Sequence, residues 1–244
     1  MDLSIVIPAY REAHKIARDV QVAGEFLAGN RLSGEVIVGD DGSPDGTADA
    51  AARAPVPPGV ECRVLRLDHR GKGHAVRQGM VAARGDYAMF ADSGLCVPFG
   101  DVLPALQLLR NGECDIANGS RKMDASIIGR RQTLYRRTLS RFFRWVVLHA
   151  LHLPRDLTDT QCGFKVYRGD IARKLYADCT IDGFMFDLEV LIRARQRGYR
   201  FVEFPVHWSC DPDSRLRPSR ILCRSFSELL ALRRILGEEK RNAR

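Results

Sequence analysis

Two adjacent carboxylates, and further on a third alone, close apolar runs in this 244-residue chain, and they are the first side chains equipped for chemistry. "EVIVGDD" (35–41) ends on Asp40 and Asp41, and "YAMFADS" (87–93) leads to Asp92. Where a strand ends and the chain turns, neighbouring side chains can both face one ligand. Gly42 and the small residues beside it let a flat or sugar-like group approach the backbone. Carboxylates there can accept hydrogen bonds from ribose hydroxyls or a base N–H; the same residues also make an Asp-Gly turn with solvated acids. Between the two runs, "DHRGKGHAV" (68–76) interleaves Arg70 and Lys72 with glycines ahead of a helix. Free backbone N–H groups and two cations suit a diphosphate, the alternative being a basic surface turn. A carboxylate beside a diphosphate most simply holds a divalent metal, which makes Asp92 the candidate metal ligand; its alternative is a turn or cap residue. The convergence of all three at one rim is what points to a phosphorylated nucleoside and a cation.

That convergence requires a scaffold. "LSIVIPA" (3–9), 35–41, "ECRVLRL" (61–67), 86–91 and 114–119 read as strands. Helical spacing over 12–27, from the Ser43–Thr47 turn to about 54, over 74–84 and over 100–110 separates them, with Ser43 as cap and Pro44 as first residue of the second helix. Strands apolar on both faces, alternating with helices, predict an α/β fold with a parallel sheet covered on both sides. Ligands of such sheets bind beyond the carboxyl ends of the strands, where Tyr10 and Glu12 also fall. The second half predicts a helix over 131–152, a loop over 154–165, helices over 169–177 and 185–197, a strand over 200–206 and a basic amphipathic helix over 219–237.

Composition is that of a folded domain, 45% hydrophobic and 28% charged. Seven cysteines, none in C-x-x-C spacing, argue against a disulfide framework or a zinc site and for a reducing compartment. "MDLSIVIPAYRE" is not a signal peptide, and no run of eighteen apolar residues spans a membrane. The net charge of +8 calls for an anionic partner. Residues 120–155 hold nine Lys/Arg and one acid, and 211–244 nine against five, so that partner belongs to the second half. Nucleic acid is not expected, because strand-end acids would repel its phosphates and no aromatic stacking platform is apparent.

"LSIVIPAYRE", "VIVGDDGSPDGT", "RGKGHAVRQGM", "GDYAMFADS", "NGSR", "DTQCGFKVYR", "GFMFDLEVLIRARQRGYRFVEFPVHW" and "SRLRPSR" follow one another in this order. As a set they resemble family 2 glycosyltransferases of the GT-A fold, in particular the polyprenyl-phosphate sugar synthases of the dolichol-phosphate glucose and mannose type, over roughly residues 3–220. The resemblance implies a GT-A domain over 1–218, with a nucleotide-sugar half (1–120), an acceptor half (121–218) and a basic helix and tail over 219–244. It also implies inverting transfer from a UDP- or GDP-sugar with Mg²⁺ or Mn²⁺. Pro8, Tyr10 and Glu12 match the first nucleotide-binding segment, Asp40 and Asp41 the second, Lys72 the segment near the diphosphate, and Asp92 the first acid of D-x-D. That motif usually reads D-A-D; here it reads Asp92-Ser93-Gly94 and the second acid is missing. Either Asp92 alone holds the metal, with diphosphate and water completing the shell, or Arg70, Lys72 and Arg121 neutralise the leaving group. A catalytically inactive relative is a third reading.

An acceptor that is a lipid phosphate is already an anion and needs positioning and charge balance more than a base. Arg121, Arg130, Arg131, Arg215 and Arg217 are the candidate phosphate holders, since a guanidinium can bond two oxygens at once. Asp159 and Gln161 could bond sugar hydroxyls. Were the acceptor a neutral hydroxyl, Asp159 or Asp187 would be the first base to examine. The basic amphipathic helices suit a membrane interface or packing on the core. Many relatives of this type carry C-terminal membrane spans. The chain stops without one, which fits a cytoplasmic protein with peripheral contact at the cytoplasmic membrane face, and equally a small soluble acceptor.

Overall fold

Every residue of Leu3–Ala9 (β1) and Gly34–Asp40 (β2) is buried, as strands with apolar side chains on both faces require. The computed structural model describes residues 1–129, 158–211, 227–234 and 237. In it β1, β2, Glu61–Arg66 (β3) and Tyr87–Ala91 (β4) pair in parallel, and Ile116–Ser120 (β5) pairs in parallel with Phe201–Pro205 (β8). Phe164–Arg168 (β7) runs antiparallel between β4 and β5, so the seven-stranded order is β3-β2-β1-β4-β7-β5-β8. A two-stranded sheet, Ile127–Ile128 (β6) with His207–Trp208 (β9), lies apart.

Helices cover both faces. Ile16–Gly29 (α1), Thr47–Ala52 (α2) and Val102–Arg110 (α4) bury Val20, Leu27, Ala51 and Leu106 against Ile5, Val38 and Val166. Lys72–Ala82 (α3), Gly169–Ala177 (α5) and Phe186–Gln196 (α6) bury Val76, Leu175 and Val190 against Val6, Phe90 and Tyr167 on the other face. One corner differs from expectation. Ser43 does not cap α2, which begins at Thr47 behind Gly46; instead the Ser43 hydroxyl accepts the N–H of Arg11. With Glu12 N–H on Thr47 Oγ1 (2.8 Å), this laces the segment after β1 to the segment after β2.

The predicted helix over 131–152 lies outside the described residues, as does most of 219–237. Residues 227–234 are helical; Leu229 and Leu232 pack on Met185, Leu188 and Ile192, while Leu230 is exposed. Among the described residues no helix is long and apolar enough to cross a membrane. Cys62, Cys96, Cys114, Cys162, Cys179 and Cys210 are free thiols.

Candidate active site

The register pairs Ala9 with Asp40, and Asp41 N–H donates to Ala9 O (2.9 Å), so Pro8, Tyr10, Asp40 and Asp41 share the rim beyond β1 and β2. The two carboxylates then part. Asp40 is 4% exposed; its Oδ2 accepts the Ser43 N–H at 3.3 Å, and its Oδ1 is buried with no hydrogen-bond partner among the described residues. A buried acceptor left open in this way costs free energy unless a ligand donor meets it.

Asp41 faces the other way. Its Oδ1 accepts the N–H groups of Arg70 (2.9 Å) and Gly71 (3.0 Å), and its Oδ2 lies 2.7 Å from His69 Nδ1. The expectation that both acids turn to one ligand is therefore corrected: Asp41 holds the 69–71 loop and acts through it. His69 in turn stacks on Tyr10, with ring centroids 4.2 Å apart and planes at 15°. Glu12 pairs with Lys15 at 2.7 Å. Arg70, expected at the diphosphate, pairs with Asp182 at 2.8 Å, as does Arg77 at 2.6 Å.

Asp92 closes β4 next to β1. Its N–H donates to Gly163 O (2.9 Å), and its carboxylate lies flat over Gly163. A Cβ at 163 would fall 2.1 Å from Oδ2 and 2.3 Å from Oδ1, so any other residue here would move the Asp92 carboxylate from this place. Lys72 Nζ, from the first turn of α3, stands 2.5 Å from Oδ1, an atom that is buried and makes no hydrogen bond of good geometry. Burial opposes the charge on Lys72, but Asp92 and Asp187 outweigh it and its pKa is raised.

Asp187 sits beneath this pair at the start of α6, 5% exposed, 2.6 Å from the fully buried Lys165 ammonium. Burial raises its pKa, with Lys165 and Lys72 pulling the other way. Lys165 also donates to Cys162 O (2.8 Å). The candidate base Asp187 is thus ion-paired with a buried ammonium. It serves as counter-ion to the two lysines.

Asp159 is paired in the same way. It is 2% exposed and gripped by Arg121 in a fork, Nε to Oδ2 at 2.6 Å and Nη2 to Oδ1 at 2.8 Å. Burial works to raise its pKa, yet the Arg121 guanidinium prevails and lowers it to about 2. A carboxylate with both oxygens on a guanidinium and so low a pKa accepts no proton at neutral pH. Glu203 fixes this loop by accepting the N–H groups of Thr158 (3.0 Å) and Asp159 (2.8 Å). The Arg121 guanidinium also lies over the Trp208 ring, 5.4 Å from its centroid. Gln161 lies in the same turn, between Asp159 and Gly163. Burial pushes the thiols of Cys96 and Cys162 up to about 12, so neither is a thiolate nucleophile at neutral pH. Arg130, Arg131, Arg215 and Arg217 lie outside the described residues.

Sequence reasoning missed Gly163, His69, Lys165 and Glu203 as parts of the site. A glycine just before an apolar strand, and a lysine inside one, were the available signals. Among the described residues no group of three or more His, Cys, Asp or Glu side chains gathers as a metal centre. Asp92 itself offers carboxylate oxygens, the donor type that suits Mg²⁺ or Mn²⁺.

A mostly parallel sheet with acids and lysines at the carboxyl ends of its strands is the arrangement expected of a GT-A glycosyltransferase. Residues 4–176 match Glycosyl transferase family 2, and the chain belongs to that family. It is 34% identical over 237 residues to a dolichyl-phosphate beta-glucosyltransferase of Drosophila melanogaster, covering 89% of this chain and 70% of that protein. It is 32% identical over 234 residues to glycosyltransferase AglD of Haloferax volcanii, covering 94% of this chain but only 36% of AglD. Among solved structures, mannosyl-3-phosphoglycerate synthase from Rubrobacter xylanophilus superposes with a TM-score of 0.67 at 17% identity, over 99% of this chain and 76% of that one. Glucosyl-3-phosphoglycerate synthase from Mycobacterium tuberculosis, crystallised with Mn²⁺, UDP and glucosyl-3-phosphoglycerate, does so at 0.64 and 19% identity, over 95% and 78%. At these identities the two structures show the shared fold.

Proposed function

We propose that this chain moves a sugar, with inversion, from a UDP- or GDP-sugar to a polyprenyl phosphate of the dolichyl type. The observation that carries the acceptor is the Asp159–Arg121 fork. The rim-side candidate for a general base, Asp159, is held at about pKa 2 by Arg121 and takes no proton at neutral pH, while Asp187 is ion-paired with the buried Lys165 ammonium. A neutral alcohol would need such a base; a phosphate does not. In a single displacement, an acceptor phosphate oxygen attacks the anomeric carbon. The bond from that carbon to the donor diphosphate breaks, and the nucleoside diphosphate leaves with the electron pair. No proton moves. The dolichyl-phosphate names of several relatives support the same acceptor.

The open Asp40 Oδ1 would take a hydrogen bond from the nucleoside, next to the Tyr10–His69 stack. Lys72 and the loop held by Asp41 would meet the diphosphate. Asp92 would hold Mg²⁺ or Mn²⁺, which would supply positive charge to the leaving diphosphate. Arg121, already aligned, would present its outer face to the acceptor phosphate, joined by Arg130, Arg131, Arg215 and Arg217; Gln161 would bond sugar hydroxyls.

The test is transfer from UDP-glucose and GDP-mannose to three acceptors: a short polyprenyl phosphate, the same free alcohol, and a small soluble phosphate such as 3-phosphoglycerate. Product on the polyprenyl phosphate alone is expected. Equal turnover on the free alcohol would overturn the base-free reading, and preference for the soluble phosphate would replace the lipid by a small acceptor.

A further inference from the structure

A helix from much later in the sequence holds the turn on which Lys72 rests. Residues 227–234 are helical, and Leu229 and Leu232 pack on Ile181, Met185, Leu188 and Ile192. From the same helix the Glu228 carboxylate reaches the turn before α6. Its Oε2 accepts the Met185 N–H at 3.1 Å. The carboxylate also lies on Gly183, where a Cβ would come 2.6 Å from Oε2 and nearer still to Oε1. Any side chain at 183 would therefore lift Glu228 from its seat.

The turn so held is the platform of α3. Asp182 O accepts the His74 N–H at 3.1 Å, a first-turn donor that the helix itself cannot satisfy. A Cβ on Gly73 would fall 2.6 Å from Ile181 O and 2.7 Å from Gly183 O, so the first turn of α3 meets residues 181–183 backbone to backbone. The Asp182 carboxylate pairs with Arg70 and with Arg77. Lys72 opens this same turn, its Nζ 6.0 Å from the centre of the Phe186 ring and 2.5 Å from Asp92. Gly73 and Gly183 bring the two backbones so close that a shift of 183–185 is passed on to 72–74, since packed atoms cannot absorb it.

We infer that Glu228 is a positioning residue of the donor site: it fixes the 181–185 turn and, through that turn, where Lys72 stands at the rim. The inference rests on the reading of Lys72 as a partner of the donor diphosphate. It makes donor binding depend on the docking of the 227–234 helix.

Calorimetric titration of the metal-free protein with UDP and GDP, and ligand-observed NMR with the matching nucleoside, test it. For whichever nucleotide the wild type binds, Glu228→Ala should weaken binding about tenfold, the worth of one hydrogen bond to a charged group, while nucleoside affinity stays within twofold. Glu228→Gln, which keeps an oxygen for the Met185 N–H, should restore wild-type affinity. Gly183→Ala, which displaces the carboxylate by another route, should match Glu228→Ala. In a Lys72→Met background, Glu228→Ala should cost no further affinity, because the effect passes through Lys72. Nucleotide affinity within twofold of wild type in both Glu228→Ala and Gly183→Ala would overturn the inference. So would an equal fall in nucleoside affinity, or a further tenfold loss in the Lys72→Met background, since either would mean that the helix supports the whole rim. A wild type that binds neither nucleotide, or full affinity in Lys72→Met, would remove the donor reading and the inference with it.

Discussion

Gly163→Ala isolates the seating of Asp92 more cleanly than any substitution of Asp92 itself. Gly163 is not in the left-handed region, so alanine fits its backbone, and the only new demand is space for one methyl group. That methyl would lie 2.1–2.3 Å from all three carboxyl atoms of Asp92. The carboxylate must retreat by about 1.3 Å to reach the 3.4 Å at which ordinary contact begins. It cannot retreat freely, because its own N–H is bonded to Gly163 O and its Oδ1 faces Lys72. A displacement of about 1 Å at a reacting centre costs about 100-fold in rate, or about 2.7 kcal/mol of barrier. The expected outcome is therefore a kcat about 100-fold below wild type for sugar transfer to a short polyprenyl phosphate. UDP affinity measured without metal, which the proposed function assigns to Asp40 and the 69–71 loop, should stay within a few-fold. A Gly163→Ala enzyme with kcat within twofold of wild type would refute the claim that Asp92 must sit where Gly163 lets it. A parallel loss of metal-free UDP affinity would show instead that the whole rim had shifted.

Asp159→Asn breaks a buried ion pair at a cost of about 3 kcal/mol, and the melting temperature should fall by roughly 6–12 °C. The pH dependence of that pair follows from its sign. A carboxylate with its pKa lowered to about 2 contributes stability that is complete above the usual aspartate range and is lost only as pH falls through about 2. The pH–rate profile should accordingly show no limb from Asp159 between pH 5 and 8; a limb that vanishes in Asp159→Asn would contradict this. Lys72, with its pKa raised by Asp92 and Asp187 against burial, keeps its charge up to and beyond the ordinary lysine range, and its contribution is lost only as pH rises past that range. Calorimetric UDP affinity should therefore hold to the alkaline edge of stability, and an earlier loss that disappears in Lys72→Met would count against it. Asp41→Ala releases the N–H groups of Arg70 and Gly71 and should weaken UDP binding about tenfold, read by calorimetry; unchanged affinity would detach the loop from the nucleotide.

The strand ends were legible because an apolar run that stops on an acid can be read from residue types alone, and Asp40 and Asp92 came to one rim as that reading required. What a turn does with two adjacent acids was not legible. The direction of each side chain depends on the backbone beyond the strand, and Asp41 turned to a loop 29 residues away. The Asp159–Arg121 and Lys165–Asp187 pairs were hidden for a different reason. Their members lie 38 and 22 residues apart, and only the insertion of β7 between β4 and β5 brings them under the rim. The alternation of strands and helices announces parallel neighbours, whereas β7 runs antiparallel and interrupts that order.

The late arrival of β7 also bears on how the protein is made. During synthesis, β1 to β4 emerge first and can pair at once, but the free edge of β4 waits until residues 164–168 leave the ribosome. Until then a half-sheet presents an open edge that other chains could join. The Asp92 N–H finds its acceptor only when Gly163 is in place. In a chain truncated before β7 the Asp92 side chain would lack the Gly163 seat, so the placing of this acid comes only once two thirds of the sequence has been made.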